Sequence, residues 1–260
     1  MQFMILRKAD QSTEAGVLPE EALLAAMGKY NEELVKAGVM RAGEGLHPSS
    51  RGARIQFSGG RPTVTDGPFT EAKELIAGFT MIEVKSKEEA VEWVRRWPAA
   101  DAGGEVAIEI REAGCPGGLR GVSQAGAPEN PAPGLLRFMV MLKANQKAEA
   151  GVNPGEKHLA SMAKYNEDSV KAGVMLAGAG LQPSARGARV KFSGGRPTVI
   201  DGPFAEAKEL LAGFWIIRAR SLQAAMDWAL GYPFPFRDTE EVEVEIRLLY
   251  EAADFAATQG

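Results

Sequence analysis

One cysteine, two histidines and no apolar run of membrane-spanning length are the first limits set by this 260-residue sequence. Cys115 alone cannot close an intrachain disulfide, and with two histidines it cannot build a zinc finger. No stretch approaches the ~18 consecutive apolar residues that would cross a bilayer as a helix. Positive charge is not in excess. Lys and Arg number 30 against 34 Asp and Glu, a net charge of −4, which excludes a polybasic nucleic-acid binder. Hydrophobic residues at 45% and charged residues at 25% exclude a disordered chain. The P-loop, zincin, nucleophile-elbow and paired-cysteine motifs are all missing. The expectation is a cytoplasmic protein with no cofactor, no metal, no nucleic acid and no membrane partner. The apolar start, Met1 to Lys8, reaches Arg7, Lys8 and Asp10 too soon to read as a signal peptide.

What the chain does have is a repeat. MGKYNEELVKAGVMRAGEGLHPSSRGAR from Met27 returns as MAKYNEDSVKAGVMLAGAGLQPSARGAR from Met162, an offset of 135 residues. The same offset pairs Phe57 with Phe192 and Trp93 with Trp228. A period this long indicates two duplicated domains rather than a solenoid. The boundaries read as 1–112 for the first copy, 113–134 for a linker, 135–250 for the second copy and 251–260 for a C-terminal tail. In the linker 10 of 22 residues are glycine or proline, too few apolar groups to order it by themselves. Its reach is roughly 25 Å as a flexible coil and about 70 Å extended, enough for the copies to dock.

Each copy reads as strand, helix, strand, hairpin, strand, helix, strand. Leu23, Met27, Tyr30 and Leu34 recur at helical spacing after Pro19, and Gly38 suits the C-terminal cap. Ile55 and Phe57 alternate into the turn Ser58-Gly59-Gly60-Arg61-Pro62, and Ala77 to Val84 is an apolar inner strand. Ser86 and Glu89 form a capping box for the second helix. The order is the split βαβ, ferredoxin-like pattern, in the α+β class. It leaves one sheet face without helices, and the second copy is the obvious cover. Two tandem ferredoxin-like domains forming an intrachain pseudo-dimer are therefore expected, with room for a further homodimer.

Asp66-Gly67-Pro68-Phe69 and Asp201-Gly202-Pro203-Phe204 resemble the signature of DGPF-domain proteins, part of the YCII-related family. Gly43-Glu44-Gly45-Leu46 before the first signature and Ala77-Gly78-Phe79 after it support the likeness. The resemblance covers both copies, about 110 residues each. It implies a dimeric α+β barrel with a cleft between the sheets. A few relatives are cofactor-independent lyases on small ring compounds, so the resemblance implies a small-molecule-binding protein, with cofactor-independent acid–base chemistry of lyase or isomerase type in that cleft as the expectation. The alternative is a regulatory interaction module acting with an extracytoplasmic-function sigma factor.

Four residues are candidates for acid–base roles: Glu44, His47, Asp66 and Asp201. Glu44 shares a strand face with Met40, Ala42 and Leu46, company that would partly desolvate a carboxylate. The second copy has Ala179 at that place and Gln182 in place of His47, so any chemistry these two carry belongs to the first copy. Asp66 and Asp201 stand before Gly-Pro, where a carboxylate also serves to accept the N–H groups of a turn. Arg61 and Arg196 are candidates to hold an anionic group of the ligand, for which the guanidinium fork is well shaped. Clustered arginines also form ordinary solvated faces.

Overall fold

The hairpin of each copy is built into the sheet of the other. In the computed structural model, which describes residues 1–59, 61–71, 74–116, 118, 121–123, 134–237 and 239–256, two antiparallel sheets carry the fold. The first copy supplies β1 (Gln2–Lys8), α1 (Gln11–Glu14), α2 (Glu21–Lys36), β2 (Met40–Gly45), the hairpin β3 (Gly52–Ser58) and β4 (Arg61–Asp66), β5 (Ile76–Glu83), α3 (Lys87–Val94) and β6 (Ala107–Glu112). A short strand, β7 (Val122–Ser123), follows. The second copy repeats the order as β8 (Leu136–Lys143), α4 (Gln146–Glu149), α5 (Glu156–Lys171), β9 (Met175–Gly180), β10 (Ala188–Ser193), β11 (Arg196–Asp201), β12 (Leu211–Ala219), α6 (Leu222–Gly231) and β13 (Val242–Leu248). A last helix, α7 (Ala252–Ala256), ends the described chain.

One sheet runs β11-β10-β6-β1-β5-β2 and the other β4-β3-β13-β8-β12-β9-β7. The four strands β6-β1-β5-β2 of the first and β13-β8-β12-β9 of the second are each a ferredoxin-like sheet. The hairpin of the opposite copy extends it: Ala188 to Lys191 pair with Ile110 to Ala107, and Gly52 to Phe57 pair with Arg247 to Val242. The sequence pattern placed each hairpin correctly along the chain, but alternation along a strand says nothing about which strand lies beside it.

Three apolar clusters result from the alternation of side chains across the strands. Phe3, Ile5, Ile82, Ile108 and Ile110 pack under Tyr30, Leu34, Val91 and Val94 of α2 and α3. Phe138, Val140, Ile217, Val244 and Ile246 do the same under α5 and α6. The opposite strand faces meet each other. Met4, Leu6, Phe79 and Met81 pack against Met139, Met141, Phe214 and Ile216. Each such buried side chain contributes about 1.5–3 kcal/mol, so the contact between the copies is a true core. The fold is α+β, two ferredoxin-like units joined as an intrachain pseudo-dimer of the dimeric α+β barrel type. The cleft expected between the sheets is absent at this contact, because these methionine, leucine and phenylalanine side chains fill it.

Buried charges clamp the exchanged hairpins. Glu245 of β13 is 1% exposed. Arg247 Nη1 donates to it at 3.0 Å, Arg54 Nε of the other copy's hairpin donates at 3.0 Å, and Lys143 Nζ stands 3.6 Å away. Arg247, also 1% exposed, donates on to Glu14 at 3.0 Å and to the carbonyl of His47 at 3.0 Å. The first sheet repeats the cluster. Arg111 and Arg189 donate to Glu109 at 3.2 and 3.0 Å, Lys8 lies 3.6 Å away, and Arg111 reaches Glu149 at 3.3 Å. Burial opposes the charge on Glu109 and Glu245, but the surrounding Lys and Arg groups outweigh it and hold both carboxyls below their ordinary 4.5.

A carboxyl depressed in the folded state contributes stability above its unfolded pKa and loses it as pH falls through the folded value. Stability by denaturant titration should therefore be fully present above about pH 5 and fall steeply below it. Glu109→Gln and Glu245→Gln variants should show a shallower acid dependence. An unchanged acid limb in both variants would remove these two groups as its cause.

Beyond the two copies the chain continues to pair. Ala113 bridges Leu181, the Gly114 N–H donates to Gly180 at 2.8 Å, and β7 pairs with β9. Residues of the linker thus find order in an open sheet edge rather than in a core of their own. At the matching edge of the first sheet, Leu249 bridges Leu46 and the Tyr250 N–H donates to Gly45 at 3.0 Å. The start of the linker and the last residues of the second copy are equivalent caps on equivalent edges.

Candidate functional site

A cavity of about 710 Å³ opens between α2, the loop before it, the edge strand β2 and its neighbour β5. Volumes of ~300–1,000 Å³ are usual for small-molecule sites. Its floor is set by residue size. Gly43 and Thr80 pair across β2 and β5, and neither side chain fills the space toward α2. Met27 and Asn31 face it from α2, Trp97 stands at its inner end, and Tyr250 and Phe255 reach it from the C-terminal segment.

The inner end is charged and closed on itself. Arg7 and Asp101 are 9% and 5% exposed. The guanidinium donates to Asp101 through Nε at 3.2 Å and Nη2 at 2.6 Å, and Nη2 also reaches Asp10 at 2.7 Å. Trp97 Nε1 donates to Asp101 at 2.8 Å. Burial works against the Arg7 charge, but Asp101 and Asp10 outweigh it and raise its pKa. Burial likewise opposes the Asp10 carboxylate, and the Thr13 N–H with Arg7 outweighs it and lowers the pKa. Asn31 Oδ1 differs from these: it is buried and has no hydrogen-bond partner among the described residues.

The second copy has the same site with its space taken up. There the pocket is about 80 Å³. Trp215 stands where the first copy has Thr80, opposite Gly178, which matches Gly43. Its indole N–H donates to the Tyr232 hydroxyl at 3.1 Å, and that hydroxyl donates to Asn166 Oδ1 at 2.9 Å. Asn166 matches Asn31 at the 135-residue offset. Leu142 stands in place of Arg7, and Cys115 and Pro116 of the linker lie over the pocket.

Of the residues singled out in the sequence, Glu44 lines the large cavity. Its carboxylate is gripped by Arg137 Nη1 at 2.5 Å and Nη2 at 3.2 Å, and Arg137 also holds Glu251 at 2.7 Å. Burial opposes the Arg137 charge, and the two carboxylates outweigh it and raise its pKa. Glu44 is therefore an ion-paired group half-exposed at the sheet edge rather than an isolated carboxylate on an apolar face.

His47 is buried just behind that edge, its ring 3.8 Å from the ring of Tyr250. Arg51 Nη1 lies 3.1 Å from Nδ1, and a guanidinium only donates, so Nδ1 accepts and the ring proton sits on Nε2. Nε2 then faces Asp254 at 3.2 Å. Burial and Arg51 lower the His47 pKa, keeping the ring neutral. Both nitrogens are engaged, which ties α7 of the C-terminal segment to the first copy.

Asp66 and Asp201 lie exposed at the ends of β4 and β11, and neither lines a described cavity. Asp201 receives Lys87 at 2.7 Å. Arg61 and Arg196 are exposed where β4 and β11 begin, in the turns of the exchanged hairpins. The structure brings neither pair to the cavity. The Gly-Pro-Phe part of the signature has a packing reason instead. A Cβ on Gly67 would lie 1.8 Å from the Ser49 carbonyl oxygen, and on Gly202 1.9 Å from that of Ser184. Phe69 and Phe204 then sit under Arg54 and Arg189 at 4.2 Å, the arginines of the buried clusters.

Arg7, Asn31, Thr80, Trp97 and Asp101 were not anticipated from sequence. The signal for Thr80 was available as a mismatch between copies, Thr80 against Trp215, in an otherwise closely repeated strand.

The chain belongs to the YCII-related domain family, which it matches over residues 1–113 and 136–246. An uncharacterized protein of Rhizobium meliloti (strain 1021) is 33% identical over 99 residues, covering 38% of this chain and 80% of that protein. Among solved structures, a mutant chlorite dismutase from Candidatus Nitrospira defluvii in complex with cyanide aligns over 95% of this chain and 89% of its own. The TM-score is 0.36 and the identity 8%.

Proposed function

We propose that this protein binds a small organic molecule in the first-copy cavity, and that the second copy serves as its structural partner. The observation that carries the reading is the contrast between equivalent sites. One is open at about 710 Å³, and the other is reduced to about 80 Å³ with Trp215 against it. An indole at position 215, where the first copy has Thr80, is what a duplicated site looks like when only one copy keeps a ligand. The cavity also weighs for ligand binding over the interaction module, including partnership with a sigma factor, which requires no such space.

Acid–base chemistry has less support than binding. Glu44, Asp10 and Asp101 each hold an arginine, so none of these three carboxylates stands free beside the cavity to work on a ligand. Recognition of an anionic group by Arg61 or Arg196 has no support from the cavity lining.

Thr80→Trp reproduces the second copy and tests the reading. A panel of small planar compounds screened by ligand-observed NMR should yield binders that also change the fluorescence of Trp97. Thr80→Trp should weaken every such binder by at least roughly tenfold, the effect of removing a well-packed contact surface, with the melting transition preserved. Equal binding to the variant and the unaltered protein would overturn the assignment of the cavity.

A further inference from the structure

The side chains that fill the second-copy pocket have counterparts in the first copy that leave the same space open. Gly178 lies opposite Trp215, and the indole occupies the space that glycine leaves. The ring packs with centroids 4.6 Å from Tyr232 and 5.4 Å from Phe234. Its N–H enters a chain of donors that ends on Asn166 Oδ1. In the first copy Gly43 remains opposite a small residue, Thr80, while Trp97 occupies the place of Tyr232 and turns its own N–H to Asp101. The phenol and the indole are both gone from the chain of donors. Asn31 Oδ1 is left buried with no hydrogen-bond partner among the described residues. A buried acceptor without a donor is costly, and a bound molecule that supplies the donor removes that cost.

We infer that the first-copy cavity takes a planar bicyclic heteroaromatic compound bearing a ring N–H, of the size and shape of indole. The flat ring lies over Gly43 and Thr80, beside Trp97, and its N–H donates to Asn31 Oδ1. This class of ligand rests on the cavity reading above and goes beyond it, since that reading asks only for a small molecule. The aromatic walls favour a ring over an aliphatic chain, because offset and edge-on contacts between rings exceed what area alone provides.

Indole and benzofuran, the same shape without the donor, are the probes. The readout is the ratio of their dissociation constants, measured on the full chain by NMR titration. In the unaltered protein that ratio should favour indole by roughly three- to tenfold more than in Asn31→Leu, the fold-change of one neutral hydrogen bond. Asn31→Asp, which keeps an acceptor, should retain the preference. Should Asn31→Leu fail to fold, N-methylindole against indole on the unaltered chain reads the same bond. An identical ratio in the unaltered protein and Asn31→Leu, equal binding of indole and N-methylindole, or no binding of indole at all would overturn the inference. Thr80→Trp separates the two readings. If it blocks both probes while their ratio is insensitive to Asn31, the cavity stands and the ligand class falls.

Discussion

Arg247→Met should destabilise the protein by about 3–5 kcal/mol, the cost of leaving a buried charge without its partner. Arg247 joins three segments: Glu245 on its own strand, Glu14 of the first copy and the carbonyl of His47. Glu245 would keep Arg54 and Lys143 but lose the donor at 3.0 Å on its other oxygen. Glu14 would lose a partner while still accepting the Ser49 N–H at 2.9 Å. For a chain of this size the melting temperature should fall by roughly 10 °C, at a few degrees per kcal/mol. Arg111→Met should behave alike, since Arg111 donates to Glu109, Glu149 and the carbonyl of Gln182 in the matching arrangement. Lys171→Ala is the control. Its partner Glu167 is an exposed neighbour one helical turn away, and such a pair should leave the transition where it is. Scanning calorimetry gives all three values. A melting temperature for Arg247→Met within a degree or two of the unaltered protein would show that the clusters accompany the exchange of hairpins without stabilising it.

Separating the copies should have a still larger effect. Residues 1–112 alone would carry the hairpin β3–β4 with no β13 to receive it, and β6 would expose the edge that β10 occupies. The face bearing Met4, Leu6, Phe79 and Met81 would also lose its cover. Residues 135–260 face the same losses. Each fragment on its own should be aggregated or unfolded, as an open apolar sheet edge predicts. Mixed during refolding, the two should return as a 1:1 complex with the circular dichroism of the whole chain. Two stable monomers that ignore each other in sedimentation would contradict the packing described above.

These expectations trace back unequally to sequence and structure. The duplication, the order of elements, the ferredoxin-like class and the pairing of the copies were legible in the sequence. Each depends on information local to the chain: a repeated string, a period of two or near 3.6, a capping serine such as Ser86, which accepts the Glu89 N–H at 3.3 Å. The uncovered sheet face was legible too, because alternation marks both faces of Phe3 to Leu6 as apolar while helices can cover one.

The exchange of hairpins was not legible. β3 carries the same alternation whether it pairs with β6 or with β13, and backbone hydrogen bonds are indifferent to the choice. The site followed the same division. Glu44 could be picked out as a carboxylate among apolar residues, but Arg137, which holds it, is 93 residues away in the chain. His47 could be noted, but its partner Asp254 lies 207 residues on, in what reads as a tail. Asp66 and Asp201 look like site residues for the same reason that they repeat: both copies must make the same turn, and the turn faces outward. The cavity itself was decided by the tertiary structure, because a cavity is where side chains fail to meet. A sequence names the side chains present, and only their placement in space shows that Thr80, Gly43 and Asn31 leave between them the room that Trp215 occupies in the other copy.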